Sequence, residues 1–554
     1  MSTDLSPHLA HGATTTTVPD IAVISGAEIR AKLIARQEVA LLDVSSEAVH
    51  ALSHPLFAAN LPLSRLEVEA LDRIPRLDTL LAVFDRGEGS ARLAVAKLHA
   101  LGYRDIRLLQ DGLVGWQSGG GELFSDVNAP SKAFGELVEH ERQTPSLSAE
   151  QVQALIDAQA DIVIVDVRRY DEYHTMNIPG SQSLPGGEAA LRIHELLHRP
   201  TTQVIVNCAG RTRSIIGTQS LINVGIGNPV AALRNGTIGW TLAGQTLEHG
   251  QTRRAPLAGE HGVVPRQQVG TQVQVLAKRA GVQWISVEDI SRFKQQRTRT
   301  TYYFDVRDPA EYVAGHVAGF ISAPGGQLVQ ETDFFAPVRG ARIVLADTDG
   351  IRATMTASWL AQMGWEVHVW SRVESKYLSE QGRFQPTLPT SLVAKASRTV
   401  QTLSVAQLLA DQTHINTVIL DLEPSSKYRK QHIPNAQFIQ RHSLHPDHGA
   451  SLPSADRYVL TSSDGLLAFF AATETPRWQG KPVYALIGGN EAWQEAGQDL
   501  VSTDPQFIDP PNDVYRRPYE GTDNPAAAMQ AYLDWEYGLV AQLAIDGTHG
   551  FKVL

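Results

Sequence analysis

A chain of 554 residues is long enough for three or four domains, and its 43% hydrophobic residues can furnish several buried cores. Lys plus Arg number 48 against 59 Asp plus Glu, a formal charge of −11 spread along the chain, which argues against a nucleic-acid or anionic-membrane surface. The one cysteine, Cys208, excludes internal disulfides and any metal site built from cysteines, and it fits a reducing, cytoplasmic setting.

Residues 1–20 are polar and lack the basic start and apolar core of a secretory signal, so they read as a disordered tail. Unit one, 21–125, has an apolar strand ending "ALLDVSS" at Asp43, a second strand running into "VFDRGEGSA" at Asp85, and Trp116 in "QDGLVGW". Residues 120–146, polar with prolines, read as a linker. Unit two, 145–250, repeats the order with a helix opened by Ser148, where Gln151 completes a capping box. It continues with strand "IVIVDV" at Asp166, helix "GGEAALRIHELLH", and strand "QVIVN" leading into "CAGRTRS". A helix beginning near Ser214 and closed by Gly225 follows, then strand "PVAALRNG" and Trp240. A basic, Gly-rich linker over 249–281 precedes unit three, 283–380, with Asp305, the loop "LADTDGIRA" at Asp347, and Tyr377 near the tryptophan position. A further linker, 379–400, leads to unit four, 401–503, with Asp421, "LTSSDGLLA" at Ser462, and Trp493. The C-terminal extension, 504–554, is Pro-rich at first and then predicts a helix starting at Asn524–Pro525 and ending at Gly547. Its apolar stripe of Met529, Leu533, Tyr537, Val540 and Leu543 reads as a face docked on a neighbouring domain. No apolar run approaches the roughly 18 residues of a membrane helix.

The strand-end acid and the loop position stand 42 residues apart in units one, two and three and 41 apart in unit four. That series is a repeat. Apolar strands alternating with helical patterns in each unit predict an α/β fold of four domains, each a mainly parallel sheet with helices on both faces.

The chemistry concentrates in unit two. A strand ending at Cys208 with a helix starting a few residues later makes the backbone curl, so that amides of Ala209, Gly210, Arg211, Thr212, Arg213 and Ser214 surround the sulfur. Amides, helix terminus and the charges of Arg211 and Arg213 all favour thiolate, so the thiol is expected below its usual pKa and Cys208 is expected to be a nucleophile. A buried, inert cysteine is the alternative. Cysteine-dependent phosphatases need an arginine after five intervening residues, where this chain has Ser214; here Arg213 follows after four, a tighter loop sized for a sulfur atom. Asp166 and Arg168 read as a structural strand-end pair, and Glu172 and Tyr173 as packing and hydrogen-bonding groups. The 19 histidines show no metal-ligand spacing, and neither metal nor cofactor is expected.

"DVRRYDEYHTMNIPGSQSLP" followed by "VIVNCAGRTRS" resembles a rhodanese (sulfurtransferase) domain, and "DVRDPAEYVAGHVAGFISAP" in unit three and "QHIPNA" in unit four are similar. The resemblance extends over about residues 20–503 and implies four tandem rhodanese-like domains with one catalytic cysteine. It further implies that an anionic sulfur donor, with thiosulfate favoured, passes sulfur through a Cys208 persulfide to a thiol or cyanide. It also implies that inactive unit one pairs with unit two and helps to wall its pocket. With no second cysteine, the persulfide cannot resolve internally, so the acceptor comes from outside. Asp85 and Asp347 are expected to fill their own amide nests and mimic a bound anion, with Glu88 and Asp349 adding negative charge. In unit four Ser462 stands without a base, and Leu466 and Leu467 take the arginines' place. Three unarmed copies also leave open a non-catalytic sulfur carrier or scaffold.

Overall fold

The computed structural model describes residues 21–259, 266–411, 413–445, 451–521 and 523–554; the tail expected at 1–20 lies outside them. Each unit builds one sheet in which the strand leading to the loop is central, with parallel neighbours on both sides connected through helices. In unit two the order across the sheet is Ser146–Leu147, Val230–Leu233, Gln203–Asn207, Ile162–Asp166, Gln182–Ser183, all parallel. Unit three repeats it with Gln283–Trp284, Glu366–Trp370, Arg342–Ala346, Thr301–Asp305 and Ile321–Ser322. Helices cover both faces, so the central strands are buried on both sides and read as continuous apolar runs.

The registers place equivalent residues side by side. Asp166 pairs with Asn207, Asp305 with Ala346 and Asp421 with Thr461, so each strand-end acid lies beside the residue before the loop. The recurring tryptophans close each unit in one way. The indole N–H of Trp116, Trp240 and Trp493 donates to the carbonyl six residues on, in Glu122, Thr246 and Asp499.

The units are not separate beads. Strand Val338–Arg339, which lies within unit three's sequence, adds antiparallel to Val39–Asp43 of unit one, and units one and three share a continuous apolar cluster. Units two and three meet through glycines, so closely that a Cβ on Gly187 would lie 2.8 Å from the Gly326 nitrogen, and the converse contact is also 2.8 Å.

Two expectations need correction. The segments read as linkers contain helices, Ala129–Arg142, Arg266–Arg279 and Thr390–Thr399. The first is largely buried, entered through Asn128 at φ 60 with Pro130 in its first turn. Its polar residues fill contacts between units, so polarity there does not mean solvent. The final helix, Ala526–Asp546, ends at Gly547 in the left-handed region, but the buried stripe is rotated from the expected one. Tyr537 is 49% exposed and Val540 only half-buried, whereas Tyr532, Glu536 and Leu539 are buried. The helix docks on Ala129–Arg142 and on Gly236–Leu242 of unit two, a partly polar surface that an apolar count does not anticipate.

Among the described residues, no helix is long and apolar enough to cross a membrane, and no group of three or more His, Cys, Asp or Glu could hold a metal ion.

Candidate active site

Cys208 sits where strand Gln203–Asn207 ends and four residues before the start of helix Thr212–Asn223, which begins two residues earlier than expected. The loop is held from behind by the first turn of Gly236–Leu242. Thr237 and Ile238 amides donate to the Cys208 and Ala209 carbonyls at 3.0 Å each. Gly236 is obligatory there: its φ is +54°, and a Cβ would lie 2.3 Å from the Cys208 carbonyl oxygen. The thiol donates to Ser214 Oγ at 3.4 Å, Ser214 Oγ donates onward to the Arg211 carbonyl at 2.8 Å, and the Ser214 amide also bonds to the sulfur.

The unarmed copies hold their own side chains in the equivalent nest. The amide six residues after the loop position donates to the side chain in all three: Ala91 to Asp85 at 2.8 Å, Ala353 to Asp347 at 2.9 Å, and Ala468 to Ser462 at 3.4 Å. Asp85 also accepts from Gly87, and Asp347 from Gly350, each at 2.9 Å. In two copies, therefore, a carboxylate occupies the position equivalent to the sulfur.

The two loop arginines have different fates. Arg213 makes a two-point pair with Glu172, at 2.7 and 2.9 Å. Burial opposes ionisation of Glu172, but the Arg213 guanidinium outweighs it and holds the carboxyl far below its usual range. Unit three keeps the same geometry, with Arg352 on Glu311. Arg211 is committed elsewhere, to Glu136 at 2.8 Å, to Glu139 and to Asn235, and it stacks on Tyr537 at 4.1 Å. The expectation that its free charge stabilises the sulfur is corrected, because helix Ala129–Arg142 supplies two carboxylates that pair with it.

Asp166 and Arg168 form a buried fork, at 2.9 and 2.7 Å, and Asp166 also accepts from Asn207 at 2.8 Å, which anchors the residue preceding Cys208. Tyr173 donates to the Ser181 carbonyl at 2.8 Å.

The thiol itself departs from expectation. Burial dominates and pushes the Cys208 thiol above its ordinary value, against the lowering effects of Arg213 and Ser214, and Glu536 raises it further. Two layers bury it: the sulfur packs within unit two's own core, with Val165, Val167, Leu184 and Val206, and the C-terminal extension covers the next two residues of the loop. Ala209 packs against Tyr519, Met529, Tyr532 and Leu533, and Gly210 lies under Tyr532 and Glu536. Cys208 is consequently only 1% exposed. A cavity of about 1470 Å³ reaches the other flank of the loop at Thr212 and Arg213. Its opposite wall comes from unit three (Glu311, Gly325, Gly326, Arg352), not from unit one as expected, because the glycine contact seats unit three against unit two.

Four parallel sheets of one strand order, each opening into an amide-lined loop before a helix, define a tandem of rhodanese-like domains. The chain belongs to that family: the Rhodanese-like domain model matches residues 27–119, 148–243, 289–372 and 404–496. Among solved structures it is similar to the thiosulfate sulfurtransferase from Pseudomonas aeruginosa, at 54% identity over 96% of this chain and 100% of that one, with a TM-score of 0.87. It is also similar to SseA from Escherichia coli, a 3-mercaptopyruvate sulfotransferase, at 20% identity over 42% of this chain and 99% of that one, TM-score 0.21. A rhodanese-related protein from Thermoplasma volcanium matches at 18% identity over 18% of this chain and 98% of that one, TM-score 0.17. No curated protein sequence matches this chain.

Proposed function

We propose that the protein is a sulfurtransferase that carries sulfane sulfur from a small anionic donor, thiosulfate in the first instance, through a persulfide on Cys208 to an external thiol or cyanide. The observation that carries this reading is the occupancy of the nest. Where units one and three put a carboxylate among the loop amides, unit two puts a sulfur. Burial keeps the resting Cys208 thiol above its ordinary value, and burial together with Asp349 pushes Asp347 up to about 7, so the support lies in the hydrogen bonds: the amides that bond to the Asp85 and Asp347 oxygens stand where they can bond to a sulfur anion once it forms. The match to a thiosulfate sulfurtransferase over nearly the whole length supports the same reading.

In the first half-reaction the Cys208 thiolate attacks the terminal sulfur of thiosulfate. The new S–S bond forms as the old one breaks, and sulfite leaves with the electron pair. The outer sulfur of Cys208–S–S⁻ then carries the charge within the amide nest, near Arg213. In the second, the acceptor's nucleophile attacks that outer sulfur, thiocyanate or a new persulfide departs, and the Cys208 thiolate returns. Ser214 occupies the position where a phosphatase would need its arginine, which favours sulfur over phosphate chemistry.

Thiocyanate formation from thiosulfate and cyanide tests the proposal, with Cys208→Ser as control. Turnover in the wild type and none in the variant is expected, and donor alone should add the mass of one sulfur to the Cys208 peptide. A wild-type chain inert with every sulfane donor would overturn the enzyme reading.

A further inference from the structure

Glu536 lies in the middle of helix Ala526–Asp546 and is entirely buried. Its two oxygens differ. Oε1 accepts from the Tyr532 hydroxyl at 2.9 Å and from Thr212 Oγ1 at 3.5 Å. Oε2 has no hydrogen-bond partner, yet it faces the loop, 3.2 Å from where a Cβ on Gly210 would stand. Thr212, which Oε1 contacts, in turn lines the large cavity.

Among the described residues, the nearby cations are paired elsewhere. From helix Ala129–Arg142, Glu136 and Glu139 take the Arg211 guanidinium. Lys132 of the same helix is bound to Asp126 at 2.7 Å and lies over the rings of Tyr532 and Trp535. From the loop side Arg213 is held by Glu172, and the remaining titratable groups around it are Cys208, Tyr519 and Tyr532. Burial first, and then the neighbouring Glu136 carboxylate, push Glu536 up to about 8, so the group is neutral at neutral pH. Because Oε1 already accepts two hydrogen bonds, the proton resides on Oε2, where the protein offers no acceptor. Buried donors are seldom left unpaired.

We propose that Glu536 is an anion-recognition residue of the Cys208 site, a neutral carboxylic acid whose Oε2–H is donated to an anionic oxygen of the sulfur donor. This rests on the reading of the Cys208 loop as the donor site. It makes the C-terminal helix part of substrate selection: donors ending in an oxyanion are favoured, and the favour is withdrawn once Glu536 ionises.

Binding to a protein that cannot react provides the test. Cys208→Ser protein is titrated calorimetrically with thiosulfate at about pH 6.5 and about pH 9.5, beside Cys208→Ser/Glu536→Gln. With a group titrating at about 8, the neutral form falls roughly thirtyfold over that interval, and the parent's affinity should fall by about tenfold or more. The Gln amide donates at every pH, so the double variant should keep its affinity within about threefold. Infrared difference spectra of the ligand-free parent across the same interval should contain a protonated-carboxyl C=O band, shared with Asp347 and Asp421 at about 7, that loses intensity in Glu536→Gln. The proposal is overturned if both proteins lose affinity in parallel, if the parent's affinity ignores pH, if neither binds, or if the substitution leaves the band's intensity unchanged. Cyanide turnover in the wild type separates the two readings. Turnover without pH-dependent binding sinks only the role of Glu536, and pH-dependent binding without turnover sinks only the catalytic one.

Discussion

Gly210→Ala probes whether the C-terminal helix holds the loop closed. Gly210 has no left-handed φ, so alanine is acceptable to the backbone and the perturbation is steric. The new methyl would lie 3.0 Å from Tyr532 Cε1 and 3.2 Å from Glu536 Oε2, against an ordinary carbon contact of about 3.5–4.0 Å. The helix must retreat by roughly half an ångström, and overpacking of this kind costs about 1–3 kcal/mol. Charged to the docked state of the helix, that cost raises its opening equilibrium roughly 5- to 150-fold. Native-state hydrogen exchange read on peptides spanning 526–546 should accelerate by that factor, and iodoacetamide should alkylate Cys208 faster in the same proportion. If both rates stay at wild-type values, the helix does not gate the cysteine, and the account of its burial is wrong.

Gly538→Ala is the opposing control: nothing lies within 4 Å of its missing Cβ, so replacing a mid-helix glycine should stabilise by about 1 kcal/mol and slow the same exchange. Because burial raises the Cys208 thiol above its ordinary value, wild-type alkylation should still be climbing above pH 9, and a plateau near neutrality would contradict this. Glu172 is held low, so its contribution to stability is present above its unfolded value of 4.5 and is lost as pH falls. Glu172→Gln should therefore flatten the acid limb of thermal-unfolding profiles. At neutral pH it should cost less than the roughly 3–5 kcal/mol of a fully buried pair, since 14% and 21% of the two side chains stay exposed. Arming unit three needs two changes, Asp347→Cys and Asp349→Gly, in a Cys208→Ser chain. Arg352 and the Ala353 amide already stand in place, so donor should add one sulfur to residue 347, detectable by peptide mass.

The repeat was legible because strand-end acids, loop positions and tryptophans recur at fixed spacing, and the parallel sheets follow from apolar runs between helical patterns. The loop was legible from Cys208 and Arg213. What covers them was not. Glu536 lies outside the apolar stripe of Met529, Leu533, Tyr537, Val540 and Leu543, and only the packing against Ala129–Arg142 makes its side a buried one. Arg211 looked free because its partners, Glu136 and Glu139, lie about 70 residues away in a stretch without strong apolar periodicity. The pairing of units two and three did leave a trace. Pro185-Gly186-Gly187 recurs as Pro324-Gly325-Gly326 and in no other unit, and those glycines are the ones in contact.

The antiparallel pairing of Val338–Arg339 with Val39–Ala40 bears on how the chain is made. Nearly 300 residues separate the partners, and at about 5–20 residues per second a ribosome needs roughly 15–60 s to deliver the second after the first. Throughout that interval Ala58–Asn60 covers only Leu41–Asp43 on that side, and the Val39–Ala40 end stays open to pairing with a neighbouring nascent chain. Low temperature or high expression should therefore penalise the yield of this protein through its slowest-arriving strand, although that strand takes no part in the chemistry.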